Sequence, residues 1–300
     1  MAESLSTRTR SANEGKIKGV PFLKWAGGKR WLAPHLGPLI NGSARLVEPF
    51  VGSGAVFFMA TPPAGLLSDV NGDLVATFRA VRDQPEALLR RLSSLQINLD
   101  AFESMRRWHP TSVLERAVRL IYLNRTAFNG LYRVNRLGEF NVPFGCKKGT
   151  RLCDRDSIRS ASRALAKAQI IHQDFRIALS QVQPSDVVYA DPPYTVKHDN
   201  NGFRRYNETI FSWEDQQDLA NSLQKLVKKG VRVIVSNAHH DTISAMYSKT
   251  AFRAFVVTRT TCMAGDASRR GTCQEWLLVS RNFGDALGQL QNATGWQAAT

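Results

Sequence analysis

The chain has 300 residues, of which 43% are hydrophobic, so it can bury a large core as one sizeable domain, with or without an insertion. No stretch approaches the roughly 20 apolar residues that a membrane span needs, and the polar start lacks the apolar centre of a secretory signal, which predicts a cytoplasmic protein without a membrane partner. The formal net charge of +15 favours a polyanionic partner, because a basic surface attracts phosphate backbones.

Predicted strands alternate with predicted helices along most of the chain. After residues 1–18, which we expect to be a flexible arm, the β-rich runs in chain order are ARLVEPF, GLLSDV, AQIIHQD, SDVVYAD, VRVIVSN, RAFVVTR and QEWLLVSR. Helical periodicity lies between most of them, as in GDLVATFRAVRD and SWEDQQDLANSLQKLVKKG. In the second helix, Ser212 and Asp215 predict a capping box and Gly230 predicts the end. The pattern predicts an α/β fold with a mostly parallel sheet, helices on both faces and ligands at the carboxyl ends of the strands.

This alternation is interrupted between about residues 84 and 165, which we predict to be a mainly helical insertion with one loop or hairpin, RVNRLGEFNVPFG. From Met105 to Lys167, 14 Lys and Arg stand against 4 Asp and Glu, so +10 of the +15 lies in this segment. Such a concentration predicts a nucleic-acid face, with a solvated helical face as the alternative. Beyond the last strand, residues 283–300 have weak periodicity and predict a loosely ordered tail.

The four cysteines, Cys146, Cys153, Cys262 and Cys273, include no Cys-x-x-Cys pair and stand at no zinc-finger spacing with a histidine. We therefore expect reduced thiols and no metal site.

A strand, a glycine turn and the start of a helix are predicted by LVEPFVGSGAVFF. Gly52 and Gly54 allow a ligand to approach the backbone, but no Walker lysine follows and no third glycine has the dinucleotide spacing. Asp69 ends the next strand, where a carboxylate can take ribose hydroxyls, although a turn or helix cap is an equal alternative. A ribose site without the glycine motif that binds a pyrophosphate indicates an adenosyl cofactor other than NAD.

A second glycine turn, FLKWAGGKRWL, precedes the first strand. It combines Lys24, Lys29 and Arg30 with two tryptophans. A surface turn beside a core tryptophan is the alternative, but this density of cations and aromatic rings favours contact with a ligand or nucleic acid.

The stretch ADPPYT ends the strand SDVVYA with an acid, two prolines and an aromatic ring. An amine on an aromatic base is a poor nucleophile, because its lone pair is delocalised. Asp191 and the Pro192 carbonyl can accept the hydrogens of such an amine, and Tyr194 can stack on a base taken out of its helix. The prolines would pre-organise these groups, since misplacement by about 1 Å can cost on the order of 100-fold in rate.

The order LKWAGGK, VEPFVGSG, SDVNGD, RTAFNGLYRVNRLGEFNVPFG, DPPYT resembles the Dam-like DNA adenine-N6 methyltransferases, the D12 class. In that family the target-recognition region lies between the cofactor motif and the catalytic motif. The resemblance runs from about Phe22 to Ser280 and implies a Rossmann-like methyltransferase sheet, S-adenosylmethionine as methyl donor and a flipped adenine in double-stranded DNA. It further implies a catalytic domain of residues 19–83 and 166–282, a target-recognition domain of residues 84–165 and a tail of residues 283–300.

By the same resemblance, the first glycine turn would lie at the methionine end of the cofactor, Asp69 would take the ribose, and Asp174 with Phe175 would bracket the adenine ring. The implied cofactor residues are Trp25, Ala26, Gly27, Lys29, Glu48, Pro49, Phe50, Gly52, Gly54, Asp69, Asp174, Phe175 and Asp191. The implied catalytic residues are Asp191, Pro192, Pro193 and Tyr194.

For DNA, the resemblance implies that Phe128 and Asn129 probe the space left by the flipped base, while Leu131, Arg133 and Pro143 face base edges. The implied DNA-binding residues are Lys24, Arg125, Phe128, Asn129, Leu131, Arg133, Asn135, Pro143, Lys147 and Lys148. Arginine suits guanine, and leucine or proline suits a thymine methyl, so GATC or a related site is expected. Just past this loop, GCKKG stands in place of the aromatic residue and arginine that Dam-like members often carry.

Other enzyme classes fit the motifs less well. Cytosine-N4 enzymes usually resemble Ser-Pro-Pro-Tyr, and protein-glutamine or RNA methyltransferases commonly place Asn first. A non-catalytic DNA-binding protein of this fold would show a broken tetrapeptide or lost glycines, and both are intact here. The sequence leaves open a monomer or weak dimer, association with the nucleoid and a cognate restriction endonuclease.

Overall fold

The computed structural model describes residues 21–135, 138–145, 149–195, 211–260 and 272–299. The predicted arm, residues 1–18, lies outside these ranges. The described strands are β1 (Arg45–Glu48), β2 (Gly65–Asp69), β3 (Ala168–His172), β4 (Asp186–Ala190), β5 (Arg232–Ala238), β6 (Phe252–Thr260) and β7 (Thr272–Ser280).

These strands form one seven-stranded sheet in the order β3-β2-β1-β4-β5-β7-β6. The first five are parallel, and β7 runs antiparallel to β5 and β6. All five residues of β4 are buried, as expected for a central strand covered on both faces. The predicted α/β sheet is therefore confirmed. The chain order reverses between β1 and β4, where open sheets of this kind form a crevice at the carboxyl ends of the strands.

Helices cover both faces of the sheet. Their bounds are α1 (Ala33–Ile40), α2 (Ala55–Ala60), α3 (Gly72–Asp83), α4 (Pro85–Ser93), α5 (Leu99–Arg107), α6 (Val113–Thr126), α7 (Arg155–Leu165), α8 (Phe175–Ser180), α9 (Trp213–Lys228), α10 (Asp241–Ser244) and α11 (Ala286–Thr294). The capping box of α9 is confirmed, because the Ser212 hydroxyl accepts from the Asp215 backbone and the Asp215 carboxylate accepts from the Ser212 backbone.

The segment between α3 and β3 is mainly helical, as predicted, with α4 to α7 around a loop, residues 127–145. Isolated antiparallel bridges pair Ala127 with Phe144 and Val134 with Phe140, which folds this loop into a hairpin. The central helix, α6, packs on α3 and shares one hydrophobic core with the sheet. The assignment of residues 84–165 as a separate domain stays a prediction.

The expectation of a loosely ordered tail is wrong. Residues 281–283 form a 3₁₀ turn and α11 follows, with Leu287 and Leu290 buried. Trp296 then packs edge-on against His35, and Ala298 forms a bridge with Phe255 on β6. Two leucines three residues apart are a weak periodic pattern, yet they suffice because α1 supplies the rest of the apolar surface. None of the described helices is long and apolar enough to span a membrane.

Candidate active site

A tight turn after β1 forms one wall of the crevice. Gly52 and Gly54 have positive φ angles of 48° and 65°, which side chains rarely adopt. A Cβ atom on Gly52 would lie 3.1 Å from Cδ1 of Trp25, and one on Gly54 would lie 3.1 Å from the Phe58 ring. The turn therefore depends on glycine, and the backbone passes directly beneath Trp25 of the preceding loop.

The last residue of β1, Glu48, brings a buried carboxylate to this turn. Its Oε1 atom has no hydrogen-bond partner in the part of the chain that the structure describes. Burial raises its pKa to about 8, a hydrogen bond from the Phe57 backbone opposes the shift, and the nearby charge of Asp191 adds to it. A buried carboxylate with one oxygen unpaired, beside a glycine turn, fits a ligand that carries a positive charge.

Asp69 ends β2 next to the same turn. Its Oδ2 accepts from the backbone of Gly52 at 3.2 Å, and its Oδ1 accepts from Asn71 at 2.9 Å. Burial raises the pKa of this carboxyl, and the two backbone donors oppose the shift. The carboxylate thus couples the glycine turn to the start of α3, and its remaining acceptor capacity suits the hydroxyls of a ribose.

Aromatic rings lie at the far end of the crevice. Phe175 is buried, with its ring centroid 5.5 Å from those of Phe50 and Phe211. Asp174 caps α8 by accepting from the backbone of Arg176, whose guanidinium lies over the Phe175 ring at 4.4 Å. Phe175 therefore packs beneath the surface at this end of the crevice, and the Asp174 side chain at the edge of the crevice is partly exposed.

The loop after β4 carries Asp191, whose side chain is 19% exposed. Its Oδ1 contacts Lys29 Nζ at 2.9 Å and accepts from the Ser236 hydroxyl at 2.8 Å, and the Tyr189 hydroxyl lies 2.8 Å from Ser236. Burial raises the pKa of Asp191, and Lys29 opposes that shift. Within the described residues, these contacts leave Oδ2 to accept from a substrate.

The ring of Tyr194 is held firmly on the same loop. Its hydroxyl donates to Oε2 of Glu275 at 2.8 Å, and Lys29 Nζ lies 4.9 Å from the ring centroid. The backbone on either side is also fixed, since Gln216 donates to the Pro193 carbonyl at 3.1 Å and the Thr195 hydroxyl to the Phe211 carbonyl at 2.7 Å. The loop is therefore aligned by side chains from three other elements.

Lys29 lies in this acidic cluster rather than in an open cofactor cleft. It is buried, and besides Asp191 it contacts the Gly27 carbonyl at 2.8 Å and Glu275 at 3.6 Å. Contact of Lys29 with a cofactor stays a prediction.

Sequence reasoning missed the side chains that align the loop: Ser236, Gln216, Arg259 and Glu275. The clearest sequence indication was Glu275, an acid inside the otherwise apolar strand QEWLLVS. The others carry no distinctive pattern, because their partners are distant in the chain.

The candidate DNA-reading residues lie on the 127–145 hairpin. Phe128 is 48% exposed, and Asn129 has a φ of 55°, a left-handed conformation that Asn tolerates better than most residues. Arg133 and Pro143 are exposed, and Leu131 is half-buried. Arg133 donates to Asn141 Oδ1 at 2.8 Å, while Asn135 exchanges hydrogen bonds with Glu139. Lys147 and Lys148 lie outside the described residues.

Two other predicted DNA contacts are tied to the protein. Arg125 is partly buried and donates to the Phe22 carbonyl at 2.9 Å, so its contact with DNA stays a prediction. The side chain of Lys24 is exposed, while its backbone is held by both ends of the Asn124 amide at 3.0 and 2.7 Å.

The hairpin and the glycine turn meet through one aromatic pair. The Tyr132 ring stacks on Trp25 with centroids 5.4 Å apart and planes inclined by 19°. Trp25 in turn covers Gly52. The recognition hairpin is therefore in contact with the wall of the crevice.

The two adjacent histidines after β5 take no part in the site. His240 caps α10, and exposed His239 packs on Trp276 with centroids 4.4 Å apart. Cys153 and Cys273 are free thiols, and no group of three or more His, Cys, Asp or Glu among the described residues could hold a metal ion.

A model of the D12 class N6 adenine-specific DNA methyltransferase family matches residues 25–263. The type II methyltransferase M1.LlaDCHI of Lactococcus lactis subsp. cremoris is 36% identical over 283 residues, covering 91% of this chain and 98% of its own. The type II methyltransferase M.MjaIII of Methanocaldococcus jannaschii is 32% identical, covering 84% of this chain and 96% of its own. The DNA adenine methylase of Haemophilus influenzae is 34% identical, covering 81% and 88%.

Proposed function

The chain belongs to the D12 class of N6 adenine-specific DNA methyltransferases, and on that premise we propose how its own residues perform the reaction. It is a site-specific DNA methyltransferase that uses S-adenosylmethionine to methylate N6 of adenine. The observation that carries our assignment of the catalytic residue is the Asp191 carboxylate, whose Oδ1 is held by Lys29 and Ser236 while Oδ2 is available to a substrate.

The crevice fits the cofactor by charge and shape. When bound, S-adenosylmethionine would supply a methyl group on a positively charged sulfonium, and N6 would take it as the sulfur–methyl bond breaks and the neutral thioether leaves. Glu48, buried and unpaired at Oε1, would hold this positive charge, and Gly52 and Gly54 would let the ligand lie against the backbone. Asp69 would accept from the ribose hydroxyls, and Asp174 with the Phe175 backbone would bracket the adenine ring.

The remaining steps belong to the catalytic loop. Flipping an adenine out of double-stranded DNA costs a few kcal/mol, which stacking on Tyr194 would partly offset. Asp191 Oδ2 and the Pro192 carbonyl would accept from the amino group and localise its lone pair. After transfer, the surplus proton would pass to Oδ2, whose raised pKa favours accepting it, and then to water.

The 127–145 hairpin would read the site. Arg133 would contact a guanine, Leu131 and Pro143 a thymine methyl, and Phe128 and Asn129 the space left by the flipped base. The recognition sequence we propose is GATC or a close relative. Residues 84–165 would form the recognition domain, and its surplus of positive charge, with Lys147 and Lys148, would bind phosphates.

The relatives named type II methyltransferases motivate a proposal on biological context. We infer that the enzyme works as a monomer or weak dimer on DNA in the cytoplasm, beside the nucleoid, and that a cognate restriction endonuclease accompanies it.

Sequencing the modified bases of plasmid DNA tests the proposed site. The protein is expressed in a host without adenine methylation of its own, and N6-methyladenine should appear within GATC or a one-base variant. Methylation at an unrelated sequence would overturn the proposed recognition site. As a control, DNA from a host that expresses the D191N variant should contain no modified adenine.

A further inference from the structure

Glu275 is a buried acid in β7 that faces the catalytic loop. Its side chain is 1% exposed, and it pairs in register with Ala238 of β5 and Val257 of β6. Because strands flank it on both sides, the backbone of Glu275 has little freedom to move. It also lies beyond residue 263, the last that the family model matches.

Three groups converge on this one carboxylate. Oε2 accepts from the Tyr194 hydroxyl at 2.8 Å and lies 3.6 Å from Lys29 Nζ, while Oε1 accepts from Arg259 of β6. Burying an acid is unfavourable unless it is paired and hydrogen-bonded, and here both oxygens are satisfied. Two of these three partners belong to the proposed catalytic centre, since Tyr194 lies on the catalytic loop and Lys29 contacts Asp191.

Lys29 is thus shared by two carboxylates. Asp191 is the nearer at 2.9 Å, and Glu275 holds the ammonium from the other side. Without Glu275, Lys29 would lose the second carboxylate that fixes its position beside Asp191, and the Tyr194 hydroxyl would lose its acceptor. Both changes would alter where the acceptor and the stacking face point.

We propose that Glu275 is a positioning residue for methyl transfer, which fixes Tyr194 directly and the Asp191 carboxylate through Lys29. This inference rests on the proposed roles of Asp191 and Tyr194. It assigns a part in the reaction to β7, which lies beyond the residues that the family model matches.

Glu275→Gln and Glu275→Ala separate charge from shape. The glutamine retains an acceptor for Tyr194 and loses the charge that balances Lys29, so we expect kcat to fall about tenfold. The alanine loses both and should lower kcat by about 100-fold, the cost of a roughly 1 Å misplacement. The KM for S-adenosylmethionine should stay within about twofold, because Glu275 acts in the reacting state.

The pH profile gives a readout that a merely structural role would not move. Burial raises the pKa of Asp191 and the charge of Glu275 adds a smaller contribution in the same direction, so removal of that charge in E275Q should shift the acid limb of kcat to lower pH. Among the described residues, the charged and titratable groups around Glu275 and Asp191 are Lys29, Arg259, Tyr194, Tyr189 and Glu48.

Asp186→Asn is the matched control, because Asp186 is also a buried acid in an ion pair, with Arg45 at 2.7 Å, but lies at the opposite end of β4. It should lower the melting temperature and leave the pH profile unchanged. If E275Q melts like the wild type and retains its kcat and pH profile, or if E275Q and D186N change activity alike, the proposal is wrong.

A double-mutant cycle with Tyr194→Phe tests the direct link. The effects of E275A and Y194F on kcat should be less than additive, since both remove the same hydrogen bond. Fully additive effects would overturn the role of Tyr194 in the proposal. Asp191→Asn in the same assay isolates the premise, because turnover by D191N would refute the proposed catalytic residue whatever Glu275 does.

Discussion

The proposed catalytic loop, residues 191–195, and the proposed recognition hairpin, residues 127–145, are built in opposite ways. Asp191 accepts from Lys29 and Ser236, and Tyr194 donates to Glu275, so both are fixed by side chains distant in the chain. The hairpin is held by short bridges and local pairs such as Arg133 with Asn141, and Phe128 is exposed at its base.

This difference suits the two proposed roles, methyl transfer by the loop and recognition of the DNA sequence by the hairpin. Chemistry benefits from groups that are already in place, and the side chains of Asp191 and Tyr194 are already held by protein partners. Sequence reading needs side chains that can exchange a weak internal partner for a base edge. Substitutions in the loop should therefore act on rate, and those in the hairpin on the choice of DNA site.

The largest effect is expected for Asp191→Ala. It removes the acceptor for the adenine amino group, so kcat should fall by about 10²- to 10⁴-fold, the range for a positioned acid or base. Binding of DNA, measured by fluorescence anisotropy, should change little, because the recognition hairpin is untouched. Retained turnover would contradict the role assigned to Asp191. Equal losses of DNA binding and rate would mean that the loop and the hairpin do not act separately on rate and on DNA binding.

Glu48→Gln should weaken cofactor binding at the glycine turn by about tenfold to 100-fold, the value of a hydrogen bond to a charged group. Calorimetric titration with S-adenosylmethionine measures this directly. An unchanged affinity would mean that Glu48 does not face the positive charge.

The same variant has a pH signature. The folded pKa of Glu48, about 8, lies above its ordinary value of 4.5, so over that interval the folded protein keeps a proton that the unfolded chain loses. The ligand-free protein should therefore lose stability as the pH rises from about 5 to 8, and E48Q should lose less of it. Thermal melting at several pH values provides the comparison.

Arg133→Ala should change site choice more than rate. Loss of a bidentate contact with guanine would cost about 1 to 3 kcal/mol at one base pair and relax discrimination there. Methylation of an oligonucleotide library with each position varied measures the effect. Arg107→Ala, an exposed arginine on α5, is the charge-matched control, and an equally uniform loss in both variants would make Arg133 a phosphate contact.

The sequence predicted what depends on local pattern and missed what depends on distant partners. Strand runs such as SDVVYA and the capping box of α9 follow from neighbours in the chain, and the structure confirms them. The local pattern of QEWLLVS cannot reveal that Glu275 meets Tyr194, because 81 residues separate them. The order of residues 283–300 escapes prediction for a related reason, since α11 is stabilised by packing on α1, which is distant in the chain.

The smallest effect should come from the contact that joins the two regions, the stack of Tyr132 on Trp25. An aromatic pair contributes about 0.5 to 1.5 kcal/mol, so Tyr132→Leu should weaken any coupling between DNA and cofactor binding by no more than about tenfold. Because such coupling is reciprocal, the affinity for cofactor with and without DNA should differ less in the variant than in the wild type. Tyr132→Phe retains the ring and loses the 3.4 Å hydrogen bond to Asp73, so it should behave like the wild type. If Y132F and Y132L lose the coupling equally, that hydrogen bond and not the stack connects the hairpin to the catalytic crevice.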